Sequence, residues 1–209
     1  LTTPWKRFPG HAGLGKRFLS FLFFFFWSAQ AAHAHPHVWV DYFVEVRFNQ
    51  TDLVGFQHRW LFDEMFSSQV MEMFDANGDK SFSDKEVEEV RQGAFAYLEE
   101  HGYFIMVKVN GQDMTVREVR DFHAYINGHQ VIYEFFTPFA VPAGAQPTTV
   151  HLLVADMEYF VDMAFVSGGL SISSGEHLNV SHSFGPSPVF SFWGGAWQPK
   201  HFTLRFHKP

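Results

Sequence analysis

Val38-Trp39-Val40-Asp41-Tyr42-Phe43-Val44-Glu45-Val46-Arg47-Phe48 alternates without a break. Val38, Val40, Tyr42, Val44, Val46 and Phe48 fall on one side; Trp39, Asp41, Phe43, Glu45 and Arg47 fall on the other. Successive side chains of a strand point to opposite faces, so this period of two predicts a half-buried antiparallel strand. Residues 49–53 turn the chain into a second strand, Val54 to Trp60. An odd-length turn sets Val54, Phe56, His58 and Trp60 opposite Phe48, Val46, Val44 and Tyr42, which unites the apolar faces. His58 then sits on an apolar face, where a hydrogen-bonded core histidine is expected rather than a ligand.

Downstream of a helical stretch, strand signals resume at Tyr103–Val109, with Asn110-Gly111 as a tight turn into Met114–Val119. Phe122–Ile126 and His129–Phe135 flank Asn127-Gly128, the strongest short hairpin signal in the chain. In that register Phe122, Ala124 and Ile126 share a face with Val131 and Tyr133. Residues 138–147, rich in Pro, Gly and Ala, read as a loop; Thr148–Asp156, Tyr159–Val166 and Glu176–His182 read as strands. Residues 184–199 are aromatic, Gly and Pro without a period, and Phe202–Phe206 is a candidate added edge strand. The expected fold is mainly β (α+β): an antiparallel β-sandwich over 35–183 with a helix-loop-helix inserted at 62–101, followed by an irregular tail, 184–209.

The insertion carries a second pattern. Phe62, Met65, Phe66, Val70, Met73 and Phe74 share a helical stripe, as do Val87, Val90, Ala94, Tyr97 and Leu98, and Gly102 can close the second helix. Between them, Asp75-Ala-Asn77-Gly-Asp79-Lys80-Ser81-Phe-Ser83-Asp-Lys-Glu86 reads as a twelve-residue, EF-hand-like calcium loop. Asp75, Asn77 and Asp79 take positions one, three and five, Ser81 offers its carbonyl at seven, Ser83 sits at nine, and Glu86 is the bidentate carboxylate at twelve. Ca2+ is a hard cation that takes six to eight oxygens, and alternate residues of a tight loop can supply them. Position six departs from the pattern. Glycine is usual there because the backbone turns left-handed, and this chain has Lys80.

Upstream, Lys6, Arg7, Lys16 and Arg17 precede an apolar run, Phe18–Trp27, and Ser28-Ala29-Gln30-Ala31-Ala32-His33-Ala34 follows it. This predicts a signal peptide over 1–34, cleaved after Ala31 or Ala34, and a periplasmic product. A run of ten residues is too short for a membrane span, which needs about 20. Without residues 1–34 the chain has eleven basic and 22 acidic residues, a net charge of −11 with histidine neutral. That acidity argues against nucleic acid as a partner and suits a protein that attracts cations. Cysteine is absent, so metal chemistry falls to oxygen and imidazole. If cleavage follows Ala34, His35 presents an α-amine and an imidazole together, and His37 adds a nitrogen; this is a candidate site for Ni2+, Co2+, Zn2+ or Cu2+. His182, His201 and His207 form a second candidate cluster in the tail. No nucleophile elbow, phosphate loop or zinc-enzyme histidine pair appears, and no enzymatic activity is expected.

His35-Pro36-His37-Val38-Trp39-Val40-Asp41, His58-Arg59-Trp60-Leu61-Phe62-Asp63-Glu64, the Asp-x-Asn-x-Asp loop, Tyr103-Phe104 and Asp156-Met157-Glu158-Tyr159-Phe160-Val161-Asp162 together resemble domain of unknown function 1007 over about residues 35–165. The resemblance implies a bacterial periplasmic component of an ABC-type transport system, associated with nickel/cobalt-type exporters. Metal ions and an inner-membrane metal transporter are the partners it suggests. Family members read Asp-Pro-Thr-Tyr-Tyr where this chain has Met157, Glu158 and Phe160. The expectation is thus a metal-binding accessory to envelope ion transport. A protein–protein adaptor using the aromatic tail is the alternative from another class, and a solute-binding transporter component is a third.

Overall fold

The computed structural model describes residues 36–209. The expected leader over 1–34 and the expected ligand His35 lie outside the described residues. Ten strands follow in chain order: β1 (Val38–Phe48), β2 (Asp52–Phe62), β3 (Ile105–Val109), β4 (Gln112–Met114) and β5 (Arg120–Asn127). Then come β6 (Gln130–Pro142), β7 (Thr148–Val154), β8 (Val161–Ser173), β9 (Asn179–Pro186) and β10 (Lys200–His207). Helices α1 (Glu64–Phe74) and α2 (Asp84–Val90) lie between β2 and β3, and a π-helical turn, Arg91–Phe95, and a 3₁₀ stretch, Ala96–Phe104, extend α2. No helix among the described residues is long and apolar enough to cross a membrane.

The protein is mainly β, in two five-stranded sheets ordered β5-β6-β2-β1-β8 and β4-β3-β7-β10-β9. All six alternating residues of β1, from Val38 to Phe48, are buried. Their registry with β2 follows the expected face: Tyr42 opposes Trp60, Val44 opposes His58, and Val46 opposes Phe56. At the hairpin end a bulge shifts the pairing, so Leu53 rather than Val54 meets Phe48. One extra residue on a strand turns its neighbours over, which is why Leu53 is buried and Val54 is not. The two sheets share one core. Phe48 of β1 meets Phe206 of β10 edge-on at 5.1 Å, and Phe165 of β8 meets Phe202 of β10 at 4.5 Å.

Three expectations are corrected. The β1–β8 ladder is parallel, although antiparallel pairing was expected throughout; the intervening chain is long enough to cross over and bring β8 back in the same direction. The candidate edge strand at Phe202–Phe206, at the end of the segment read as an irregular tail, is a strand, β10, but it lies between β7 and β9 inside a sheet rather than at an edge. Phe202, Leu204 and Phe206 are all buried there, so the tail belongs to the core. Finally, Met65, Met73 and Tyr97 are exposed rather than on the helical stripes. The π turn accounts for part of this. Its wider winding rotates the next residues, so Phe95 (not Ala94) is fully buried.

His58 is the core histidine that its strand face predicted. It is inaccessible to solvent, and its ring stacks on Phe135 at 4.9 Å. The Thr137 hydroxyl donates to the Phe56 carbonyl at 3.2 Å and so accepts from His58 Nε2–H at 2.9 Å. Nδ1 is left unprotonated and unpartnered. Burial pushes the imidazole pKa down to about 3. The unfolded chain therefore binds this proton between roughly pH 6.5 and 3, and the folded one does not. Stability from this group is complete above pH 6.5 and falls with pH by up to about 1.4 kcal/mol per unit below it. Urea unfolding at pH 7 and pH 5 should show this loss in the wild type and a smaller one in His58→Phe.

Candidate functional site

The loop between α1 and α2 starts where α1 stops. Asp75 caps the helix through its N–H, which donates to the Met71 carbonyl at 2.9 Å. Its two carboxylate oxygens then accept from the N–H groups of Asp79 (3.2 Å) and Lys80 (3.0 Å), folding the loop back on its first residue. Asn77 Oδ1 accepts from Asp79 N–H at 2.9 Å, and Asp79 Oδ1 accepts from Ser81 N–H at 2.8 Å. Side-chain oxygens two residues apart thus all turn to the inside of one bend. Lys80 adopts φ 63°, the left-handed conformation for which glycine is usual. Lys80 thus takes up the left-handed turn without a glycine, at a steric cost.

Glu86 closes the loop. It accepts from the Ser83 N–H at 2.8 Å and the Ser83 hydroxyl at 2.7 Å, and from Ala76 N–H across the loop at 2.9 Å. Ser83 in turn accepts from Glu86 N–H, which makes a reciprocal capping box at the start of α2. The hydrogen bonds from Ser83, backbone first and hydroxyl second, and then that from Ala76, hold the Glu86 carboxyl below its ordinary pKa. It is therefore an anion at neutral pH. Asp75, Asp79 and Glu86 nonetheless direct their oxygens at amides. Among the described residues no three His, Cys, Asp or Glu side chains stand close enough to hold a metal ion between them.

The histidines are dispersed. His37 is exposed at the entrance to β1, its N–H donating to the Phe160 carbonyl at 2.8 Å and its ring 4.9 Å from that of Phe160. The expected tail cluster does not assemble. His201 and His207 share one face of β10, but six residues of strand separate them by roughly 20 Å. His182 pairs with Leu204 and so belongs to the opposite face. His201 meets His151 of β7 instead, with ring centroids 5.3 Å apart, and its nitrogens contact the Ser187 hydroxyl (3.2 Å) and the Pro199 carbonyl (3.4 Å). Burial holds both imidazoles below their usual pKa.

A cavity of about 430 Å³ lies beneath the helical insertion, walled by Val40, Trp60, Phe66, Leu98, Phe104 and Tyr133. These come from β1, β2, α1, the 3₁₀ stretch and β6, and each is locally an ordinary core residue. No single segment could have signalled it.

The family model described as "Protein of unknown function (DUF1007)" matches residues 19–178. The chain is 28% identical over 130 residues to an "Uncharacterized 15.5 kDa protein in trpE 3'region" of Spirochaeta aurantia, covering 61% of this chain and 91% of that protein. It is 25% identical over 135 residues to an "Uncharacterized protein" of Haemophilus influenzae, covering 64% of each. The match thus spans a little under two thirds of the Haemophilus protein's length.

Proposed function

This chain belongs to the DUF1007 family, and from that premise we propose that it is an exported, periplasmic metal-binding accessory of envelope metal-ion transport. Its frame is a two-sheet sandwich, and its EF-hand-like loop at Asp75–Glu86 takes Ca2+ as a structural ion. The observation that carries the calcium reading is Lys80 at φ 63°, with oxygens of Asp75, Asn77 and Asp79 turned to the inside of the same bend. Asp75, Asn77, Asp79, Ser83 and Glu86 would supply side-chain oxygens and Ser81 its carbonyl, a set of hard donors that suits calcium. Those oxygens are satisfied by amides without the ion, so binding has to displace these bonds. An affinity in the range of extracellular modules, ~10⁻⁴ to 10⁻³ M, is expected. The acidic balance and the leader-like N-terminus support export. The association with nickel/cobalt-type transporters rests on family resemblance, with His35 and His37 as the candidate transition-metal nitrogens.

Thermal unfolding tests the calcium site. At 10 mM Ca2+ and a Kd of ~10⁻⁴ M, linkage stabilises the fold by about 2.7 kcal/mol, a rise in Tm of roughly 5–10 °C. Asp75→Ala should abolish the rise. An unmoved wild-type Tm removes calcium from the proposal. Calorimetric titration with Ni2+, Co2+, Zn2+ and Cu2+ tests the rest: binding weakened by His35→Ala and His37→Ala supports a transition-metal role. One observation favours the adaptor reading instead. Trp193 is 65% exposed and stacks on Trp197 at 5.3 Å, a rigid aromatic platform facing solvent. Absence of metal uptake better than millimolar would leave that reading standing.

A further inference from the structure

We propose that a second cavity, between the two sheets on the β8 side, binds a small aromatic carboxylic acid with a hydroxyl at the far end of its ring. This goes beyond the metal reading and does not depend on it. The cavity has a volume of about 350 Å³ and is bordered by β1, β7, β8, β9 and the start of β10. That volume is within the range of small-molecule pockets, where a few placed polar groups fix the ligand.

The base of the cavity carries such a group. Tyr42 is 2% exposed, yet its hydroxyl has no hydrogen-bond partner among the described residues. The unpartnered side-chain polar atoms wholly closed to water are His58 Nδ1, Trp60 Nε1 and Tyr133 Oη, and the Tyr42 hydroxyl is not one of them. The little surface that Tyr42 keeps therefore includes its oxygen, and this cavity is the space it borders. Burial alone raises the pKa of the phenol, so it stays a neutral group able to donate and to accept. A buried polar group without a partner is costly, and native structures rarely leave one without a use.

Aromatic faces make the walls. Phe165 and Phe184 border the cavity and pack on each other at 4.7 Å and on Phe202 of the core at 4.5 and 4.8 Å. Trp197, backed by Trp193 at 5.3 Å, and the exposed Tyr159 also line it. Tyr159 adopts φ 58°, uncommon for a bulky residue. Its turn is fixed by Asp156, whose carboxylate accepts from the N–H groups of Glu158, Phe160 and Val161 at 2.9 Å each. Ring faces held in this way favour a flat aromatic guest.

Lys200 decides the charge. It shares the inward face of β10 with Phe202 and Leu204, borders the cavity, and forms no ion pair among the described residues. Of the two acids in the lining, Asp156 is spent on amides. Asp162 falls on the opposite face of β8 from Met163 and Phe165. Lys200 is exposed and Tyr42 is buried, so the two mark the mouth and the base. A carboxylate answers the ammonium, a hydroxyl answers the phenol, and a ring between them meets the aromatic walls.

The test is calorimetric titration of the purified protein with 3-(4-hydroxyphenyl)propionate and three relatives. These are 3-phenylpropionate, which lacks the hydroxyl, the methyl ester, which lacks the charge, and tyramine, which carries the opposite charge. Saturable binding of the hydroxy acid is expected with and without a calcium chelator. It should be about tenfold tighter than that of the ester or tyramine and several-fold tighter than that of 3-phenylpropionate. Lys200→Met should bring acid and ester to equal affinity. Tyr42→Phe removes an unpartnered hydroxyl, so Tm should hold while the two propionates come to bind equally. No saturable binding, or a hydroxy acid indifferent to Lys200→Met, would overturn the proposal. So would tyramine binding as tightly as the acid, which would give the cavity to a cation through Asp162. A Tyr42→Phe variant that still prefers the hydroxylated propionate would do the same, since the hydroxyl would then serve only water. Failure of the calcium titration leaves all of these outcomes unaffected.

Discussion

Phe206→Ala is expected to cost about 3–5 kcal/mol of folding stability, the range for emptying a large aromatic site in a close-packed core. Phe206 is inaccessible to solvent, lies on β10 between Thr148 of β7 and Val180 of β9, and meets Phe48 of the opposite sheet at 5.1 Å. It therefore joins strands within one sheet and also the two sheets to each other. Leaving Ala there removes the contact with Phe48 and opens a void that neighbouring backbones, fixed by their ladders, cannot close. Deletion of residues 200–209 goes further. It unpairs β7 and β9 along facing edges and exposes the core sides of Phe202, Leu204 and Phe206's neighbours, so the truncated chain should not fold cooperatively. Urea unfolding followed by tryptophan fluorescence measures both. A Phe206→Ala midpoint within 1 kcal/mol of wild type, or a cooperative transition in the truncated chain, would place β10 outside the core after all.

Gly55→Ala should be the most damaging added methyl among the described glycines. A Cβ at residue 55 would lie 2.3 Å from the Thr137 carbonyl oxygen and 2.4 Å from Cζ of Phe136, on a backbone at φ 155°. A flexible side chain could yield; a carbonyl inside the β2–β6 ladder cannot without moving the strand. Thr137 also holds His58 through its hydroxyl, so a shift there loosens a buried hydrogen bond as well. Overpacking of this kind costs typically 1–3 kcal/mol, and the backbone contact puts this case at about 3 kcal/mol or above. Gly185→Ala, where nothing lies within 4 Å, is the control and should be near neutral. Thermal unfolding of the two variants decides the matter. Equal Tm values would mean that the strands part easily at Gly55.

Much of this was legible because it is local. Alternation in β1 and β2 set which side chains point inward, since a strand's side-chain direction follows from its backbone alone. Asn110-Gly111 marked its hairpin, and both residues take positive φ there. The Asn127-Gly128 signal placed the next hairpin with the right face but two residues short in register: Ile126 pairs with Val131, so the turn is Gly128-His129. Faces survived that slip because an even shift preserves a period of two. The helical stripes were weaker guides, because a π turn rotates everything after it and no residue type announces one.

By itself, then, the amino-acid order determined the inward faces of the early strands and the oxygen-rich bend with a lysine at its tightest point. Tertiary structure alone decided that β8 runs parallel to β1, that an aperiodic tail ends in an interior strand, and that Trp60, Phe104 and Tyr133 surround a space. The division has one physical cause. Conformation within a few residues is governed by their own sterics and hydrogen bonds, whereas the choice of strand neighbour and the fit of core side chains depend on burying surfaces far apart in the chain.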